Sequence, residues 1–250
     1  MSEQASIAVI GGTGLYQLEG LKEIERCKLT TRWGEPSSEI IMTEKDGQSI
    51  AFLARHGLKH NIPPHKVNYR ANLWALKECG VKRVIAVAAV GGITANLPPE
   101  SIVIPNQVID YTYARKHTFF EDELECVTHI DFTEPYSSSI RQALLRAAKS
   151  KSIDVHDGGV YAATQGPRLE TAAEIERLKR DGADIVGMTG MPEASLAREL
   201  GLEYACCALV VNWAAGCAGT TVIDHVEMQA IVDKGMVKLR SVLEEALGGL

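Results

Sequence analysis

The sequence of 250 residues lacks the features that mark membrane and secreted proteins. Its longest uninterrupted apolar stretch, residues 84–93, is about ten residues long, whereas a helix that crosses a membrane needs about 20. The first residues, MSEQASIAVIGG, have no basic start followed by an apolar core, which a secretory signal requires. We therefore expect a cytoplasmic protein that does not enter a membrane.

Positive charge, disulfide signatures and dinucleotide motifs are also missing. The net charge is -6, and no Lys/Arg run is interleaved with aromatic residues, so we expect no nucleic-acid partner. The spacing G-x-G-x-x-G is absent, which disfavours a hydride-transfer enzyme. The cysteines form no C-x-x-C pair and are predicted to be reduced, mostly buried thiols. They are Cys27, Cys79, Cys126, Cys206, Cys207 and Cys217.

Apolar and helical patterns alternate along the whole chain, which predicts an α/β fold. Strand patterns cover residues 7–10, 50–53, 84–90, 102–104, 160–164, 184–186 and 204–211. Helical patterns cover residues 67–79, 137–150, 171–181, 193–199 and 225–247. No repeat or linker divides the chain, so we expect a single domain over residues 1–250. Residues 110–135 form the longest irregular stretch, but their aromatic content predicts an ordered flap.

Residues 164–197 contain two loops of the kind that bind ligands, one on each side of a predicted helix. In the first loop, Gly166 and Pro167 break the chain, and Glu170 then opens the helical pattern, where backbone N–H groups are unpaired. In the second loop, residues 188–193 carry a hydroxyl, a thioether and an acid in a strand-to-helix turn, a usual place for ligands in α/β proteins. The alternative for Glu170 is a solvated first-turn acid that the helix dipole favours.

Two further strand ends carry groups suited to an anion. Gly11, Gly12 and Gly14 surround Thr13 in a turn whose backbone N–H groups can hold an anion. Arg55 and His56 follow the second predicted strand, and a guanidinium can donate two hydrogen bonds to a tetrahedral oxyanion. The alternatives for His56 are a satisfied surface or core histidine, or a metal site formed with His60. No acid or cysteine at suitable spacing completes such a metal site.

Small residues and an amide mark the ends of two buried strands. Residues 88–92 are Ala, Ala, Val, Gly and Gly, which let a ligand approach the backbone closely, although tight core packing explains them equally well. Asn212 ends the strand pattern at 204–211, and a buried amide requires partners. A structural cap is the alternative role for Asn212.

These motifs together resemble the trimeric nucleoside phosphorylases, nearest to the methylthioadenosine phosphorylase branch. The resemblance runs from about Ile7 to His225 and rests on GGTG, RHG, VNYRAN, VGG, DFTEPY, GPRLE, MTGMPE and VVNW. It implies a single-domain fold with a central mixed sheet flanked by helices. It also implies catalytic roles for Asn212, Arg55 and His56. Phosphate would be bound by Thr13, Arg55, His56, Ala88, Ala89 and Thr189, and the nucleoside by Met188, Glu170, Asn212, Trp213, Ala214, Leu169, His225 and His129.

The sequence departs from that branch at the base-binding positions. Asn212 stands where the methylthioadenosine enzymes have an aspartate that recognises adenine, and Ala214 stands where they have a second one. Glu170 replaces a small hydroxyl residue. A carboxylate accepts a hydrogen bond from the N1–H of a 6-oxopurine, whereas N1 of adenine offers only a lone pair. A hypoxanthine-type base is therefore favoured. Ala88 also replaces a hydroxyl residue at the phosphate loop.

The resemblance implies phosphorolysis of a 5'-methylthio nucleoside of hypoxanthine, with inorganic phosphate as co-substrate and no cofactor or metal. An inosine/guanosine phosphorylase, a methylthioadenosine phosphorylase and a silent nucleoside-binding protein are the alternatives. His225 occupies the position that faces the 5' substituent, where a histidine accompanies a free hydroxyl, so this residue favours inosine. We also expect a homotrimer in which His129 reaches the neighbouring subunit's sugar pocket.

Overall fold

The computed structural model describes residues 5–12, 22–45, 47–122, 126–220 and 222–250, without the side chain of His225. Within these ranges the strands are β1 (Ile7–Gly11), β2 (Lys22–Cys27), β3 (Ile40–Lys45), β4 (Gln48–Ala54), β5 (Arg83–Gly92), β6 (Ile102–Ile104), β7 (Gln107–Asp110), β8 (His156–Asp157), β9 (Val160–Ala163), β10 (Ile185–Gly187) and β11 (Glu203–Trp213). The helices are α1 (Tyr69–Glu78), α2 (Ser138–Ser150), α3 (Ala172–Arg180), α4 (Gly190–Glu199) and α5 (His225–Gly248).

All of these strands join in one mixed sheet with β5 at its centre. The order is β2-β3-β4-β1-β5-β10-β9-β7, while β11 lies between β5 and β6 and β8 follows β6. Strands β1, β4, β5 and β11 run parallel to one another, and β10 is antiparallel to β5. The carboxyl ends of four neighbouring strands therefore meet at one edge of the sheet.

Helices cover both faces of this sheet, as expected for strands with continuous apolar runs. Along β5, Val84 and Ala86 join the core beside α1 and α4, whereas Ile85 and Val87 join the core beside α2 and α5. The side-chain alternation of a strand explains this division. The predicted α/β class with a central mixed sheet flanked by helices is confirmed.

The structure contains the predicted helices and strands, with small differences at their ends. Helix α1 begins at Tyr69 rather than at residue 67, because the Asn68 side chain accepts the backbone N–H of Ala71 and caps the helix. The sequence patterns missed β2, β3, β7 and β8. Strand β2 is almost fully exposed and β8 has two residues, so neither carries a strong apolar signal.

The cysteine prediction is only partly correct. All six are free thiols, as expected, but only Cys206 and Cys207 are buried, and Cys126 is exposed. Proximity to apolar segments was therefore a poor guide to burial. Among the described residues, no helix combines the length and apolar character needed to cross a membrane.

Candidate active site

The central strand has an uncovered edge that we call the notch, formed by Val87, Ala88, Ala89 and Val90. Strand β1 pairs with β5 only as far as Ala86, and β10 pairs with it only at Gly91 and Gly92. Ala89 is the one exposed residue of β5. The backbone N–H of Arg83 points to the β1 edge, so alternation along the strand directs the N–H of Ala89 toward the notch.

Arg55 reaches the notch from the end of β4 as part of a buried ion pair. Its Nε and Nη2 atoms each donate to Glu193 at 2.7 Å, and Nη1 donates to the carbonyl of Val87 at 2.9 Å. Glu193 is fully buried and also accepts from the Tyr204 hydroxyl at 2.8 Å. Burial opposes the charge of Arg55, but the Glu193 carboxylate outweighs it and keeps the pKa of Arg55 above its ordinary value.

His56 lies beside this pair with a defined proton position. Its Nδ1 is 2.9 Å from the carbonyl of Ile62, which can only accept, so Nδ1 carries the proton. Burial, and then the charge of Arg55, lower the pKa of His56 to about 4. Near neutral pH, Nε2 is therefore an acceptor. The ring also lies 4.9 Å from that of His60, centroid to centroid.

The loop that follows β10 brings Met188 and Thr189 toward the notch. Because β10 is antiparallel to β5, its carboxyl end runs from the Gly91 position toward Ala89. The backbone N–H of Thr189 donates to the Tyr161 hydroxyl at 3.3 Å, and Thr189 is buried. A Cβ on neighbouring Gly187 would lie 2.4 Å from the Tyr161 hydroxyl. Glycine is therefore needed for the turn to lie against this ring.

Arg115 joins the two ligand loops, and sequence reasoning did not identify it. It lies in the predicted flap and is 7% exposed. Nη1 donates to the carbonyls of Met188 and Met191 at 2.9 and 2.7 Å, and Nη2 donates to those of Thr164 and Gln165 at 3.1 and 2.7 Å. One guanidinium thus fixes the loop after β9 relative to the loop after β10. Only the flap's general order was predictable, from its aromatic residues.

Glu170 lies before helix α3 rather than in its first turn. Thr171 caps the helix, and the acid of the capping box is Glu174, whose side chain accepts the N–H of Thr171 at 2.8 Å. The alternative of a first-turn acid therefore describes Glu174 and not Glu170. The Glu170 carboxylate accepts instead from the Thr164 hydroxyl at 2.6 Å. It lines a cavity of about 360 Å³ together with Gly166 and Thr164.

Asn212 lies near the carboxyl end of β11, at a β-bulge. Val210 pairs with Val90 and Asn212 with Gly91, so residue 211 is the extra one. Bulges redirect side chains and often occur next to active sites. The Asn212 amide donates to the carbonyl of Trp213 at 2.7 Å. The following loop contacts α3, since a Cβ on Gly216 would lie 2.9 Å from that of Ala172.

The structure does not bring every predicted residue to this edge. Ala214 is buried in the core against Gly91. Leu169 and His129 are exposed. Thr13 and the side chain of His225 lie outside the described residues, although the backbone of His225 begins α5. The predicted residues that lie at or next to the notch are Arg55, His56, Ala88, Ala89, Met188 and Thr189, whereas Glu170 precedes α3, and Asn212 and Trp213 end β11.

Comparisons with known proteins identify the family of this chain. The family described as Phosphorylase superfamily matches residues 6–248. A probable S-methyl-5'-thioinosine phosphorylase of Pseudomonas syringae pv. tomato is 54% identical over 96% of this chain and 97% of its own length. A probable 6-oxopurine nucleoside phosphorylase of Moorella thermoacetica is 44% identical over 98% and 93%. The crystal structure of a methylthioadenosine phosphorylase from an antarctic soil metagenomic library superposes with a TM-score of 0.92 at 37% identity, covering 98% of this chain and 86% of that one.

Proposed function

This chain belongs to the phosphorylase superfamily, and from that premise we propose that it catalyses the reversible phosphorolysis of S-methyl-5'-thioinosine to hypoxanthine and 5-methylthioribose 1-phosphate. The observation that carries the proposal is the Glu170 carboxylate. Thr164 engages its Oε1, and Oε2 accepts no hydrogen bond from the residues described. An ionised carboxylate only accepts hydrogen bonds, which suits the N1–H of a 6-oxopurine.

The proposed reaction uses the notch for phosphate and the loops for the nucleoside. A phosphate oxygen forms a bond to C1' as the C1'–N9 bond breaks, the bonding electrons pass to the purine, and the purine anion takes up a proton from solvent to leave as hypoxanthine. Arg55 supplies positive charge, and the backbone N–H of Ala89 and the Thr189 hydroxyl supply donors. The Nε2 atom of neutral His56 accepts from a protonated phosphate oxygen. Asn212 donates to the purine as negative charge develops on it.

Inorganic phosphate is the co-substrate in this proposal, and no metal or cofactor takes part. The active form is a homotrimer, in which His129 completes a neighbouring subunit's sugar pocket. The support for this assembly is the resemblance to the trimeric nucleoside phosphorylases, together with the exposed side chain of His129. The free thiols support a cytoplasmic location.

A substrate panel tests the proposal directly. Inosine, adenosine and their 5'-methylthio forms are each assayed with and without phosphate, and again after treatment with a chelator. We expect 5'-methylthioinosine to give the highest kcat/KM, no turnover without phosphate and no effect of the chelator. Arg55→Ala is expected to lower the rate roughly 10²- to 10³-fold. Full activity without phosphate, or its loss to the chelator, would refute this mechanism.

The proposed role of Asn212 has its own test. Asn212→Asp is expected to move the base preference toward 6-aminopurines, because a protonated Asp donates to N7 while accepting from the 6-amino group. The ratio of kcat/KM for 5'-methylthioadenosine and 5'-methylthioinosine measures the change. An unchanged ratio, or loss of activity on both bases, would show that Asn212 does not select the base.

An inosine/guanosine phosphorylase is the second candidate. The resemblance favours it at one position, because His225 matches the family position where a histidine accompanies a free 5'-hydroxyl. We retain the methylthio substrate because the wider framework resembles the methylthio branch, and because an imidazole packs favourably against sulfur, by about 0.3 to 1.5 kcal/mol. The comparison is kcat/KM for 5'-methylthioinosine and inosine, in the native protein and in His225→Val. A native preference for inosine that this substitution removes would establish the second candidate.

A further inference from the structure

Thr164 occupies a position that its backbone fixes from two sides. It directly follows β9, its N–H donates to the carbonyl of Gly187 at 2.8 Å, and its own carbonyl accepts from Arg115 at 3.1 Å. The side-chain hydroxyl is thereby held at a set place beside the cavity. It donates to Oε1 of Glu170 at 2.6 Å, whereas the alternative acceptor, the carbonyl of Gly187, is 3.3 Å away.

Glu170, by contrast, depends on Thr164 for its orientation. It precedes the cap of α3, where the side chains of Thr171 and Glu174 each accept the other residue's backbone N–H. The neighbouring Arg168 is paired with Glu174 at 2.7 Å. In the described part of the chain, the Thr164 hydroxyl is the one group that donates a hydrogen bond to the Glu170 carboxylate.

We propose that Thr164 is a positioning residue that sets the selectivity for 6-oxopurines by orienting the Glu170 carboxylate. A hydroxyl has a single hydrogen, so it engages Oε1 and leaves Oε2 to accept the N1–H of the base. Without this bond, a half-exposed glutamate loses its fixed orientation and must be ordered by the substrate itself. The inference rests on the proposed function, because it assumes that Glu170 contacts the base.

The substitutions Thr164→Val and Thr164→Ser separate the hydroxyl from the rest of the side chain. Valine has nearly the same shape without the hydroxyl, and serine keeps the hydroxyl. We expect Thr164→Val to lower kcat/KM for 5'-methylthioinosine about tenfold, mainly through KM, and to change that for 5'-methylthioadenosine less than twofold. Thr164→Ser should retain the native ratio. An equal loss on both substrates, or an equal loss in both variants, would overturn the proposal.

A double-substitution cycle tests whether Thr164 acts through Glu170. In a Glu170→Ala background, Thr164→Val should have no further effect on kcat/KM or on the Kd of hypoxanthine. A purely structural defect would persist in that background and would contradict the proposal. If Thr164→Val does not fold, as judged by circular dichroism and thermal unfolding, Thr164→Ala takes its place in the same cycle.

The cycle also separates this inference from the proposed function. Glu170→Ala alone should lower kcat/KM for 5'-methylthioinosine more than it lowers kcat/KM for 5'-methylthioadenosine. If it changes neither, Glu170 does not read the base and the proposed function loses its main support. If Glu170→Ala has the expected effect but Thr164→Val has none, only the role of Thr164 is wrong.

Discussion

The two ends of the candidate site are built differently. At the notch, Arg55 directly follows β4, and Glu193 lies in the first turn of α4. Both side chains are almost completely buried, and they hold each other through two hydrogen bonds of 2.7 Å. At the base end, Glu170 lies on a loop, is half-buried and has one hydrogen-bond partner among the described residues. Arg115 is the group that connects the two ends.

This difference fits the task that we propose for each end. A group that stabilises developing charge must be oriented before the reaction, and buried partners on rigid elements provide that orientation. Base selection needs only a few exchangeable contacts, and loops accept such changes without loss of the fold. We therefore expect substitutions at the notch to affect stability and rate, and substitutions at the base end to affect selectivity.

The largest effect is expected from Glu193→Gln. The amide keeps the shape but leaves the charge of Arg55 buried without a counter-charge, and removing one partner of a buried pair costs about 3 to 5 kcal/mol. Urea unfolding measures the free energy of unfolding, and kcat/KM for phosphate should fall as well. A cost below about 1 kcal/mol would mean that the two ends do not differ in rigidity.

The second-largest effect is expected from Arg115→Met. It should lower the free energy of unfolding by an amount on the order of 3 kcal/mol, because several buried carbonyl groups lose their hydrogen-bond donor. Since Arg115 holds both loops, kcat/KM should fall for 6-oxopurine and 6-aminopurine nucleosides alike. Stability and the two kcat/KM values are measured together. A change in base preference without loss of stability would place Arg115 at the base end rather than between the ends.

The dependence of the free energy of unfolding on pH tests the protonation of His56. Its pKa of about 4 in the folded protein lies below the ordinary value, so the unfolded chain binds the proton first as the pH falls. Stability is therefore lost as the pH falls from about 6.5 toward 4, by at most roughly 3 kcal/mol. His56→Gln should remove this part of the slope in urea unfolding between those pH values. An unchanged slope would show that His56 is not the titrating group.

The smallest effect is expected at the exposed ion pair of the base end, Arg168 with Glu174. Both side chains are largely exposed, and such pairs contribute about 0 to 1 kcal/mol. Arg168→Gln should thus change the free energy of unfolding by less than about 1 kcal/mol, and less still in high salt. A loss comparable to that of Glu193→Gln would contradict the proposed contrast between the two ends.

Several features of the site were predictable from short stretches of sequence. An apolar run predicts the strand that precedes Arg55 and His56. Parallel strands place their carboxyl ends at one edge of a sheet, which is where ligands usually bind. The same reasoning identified Ala89, Thr189 and Asn212 as candidates. Arg115 was not predictable, because it lies in a stretch without periodicity and its acceptors are backbone carbonyls, which any residue carries.

The sequence by itself determined the alternation of strands and helices and the loops that carry polar groups. These features depend on residues that are close in the chain, through apolar periodicity and the conformational limits of glycine and proline. Only the tertiary structure decided the partner of each group. Arg55 pairs with Glu193, 138 residues away, and Arg115 donates to the carbonyl of Met191, 76 residues away. These partners follow from sheet register and burial. A charged group that is removed from water requires an oppositely charged or hydrogen-bonding partner, and the fold supplies that partner from a distant part of the chain.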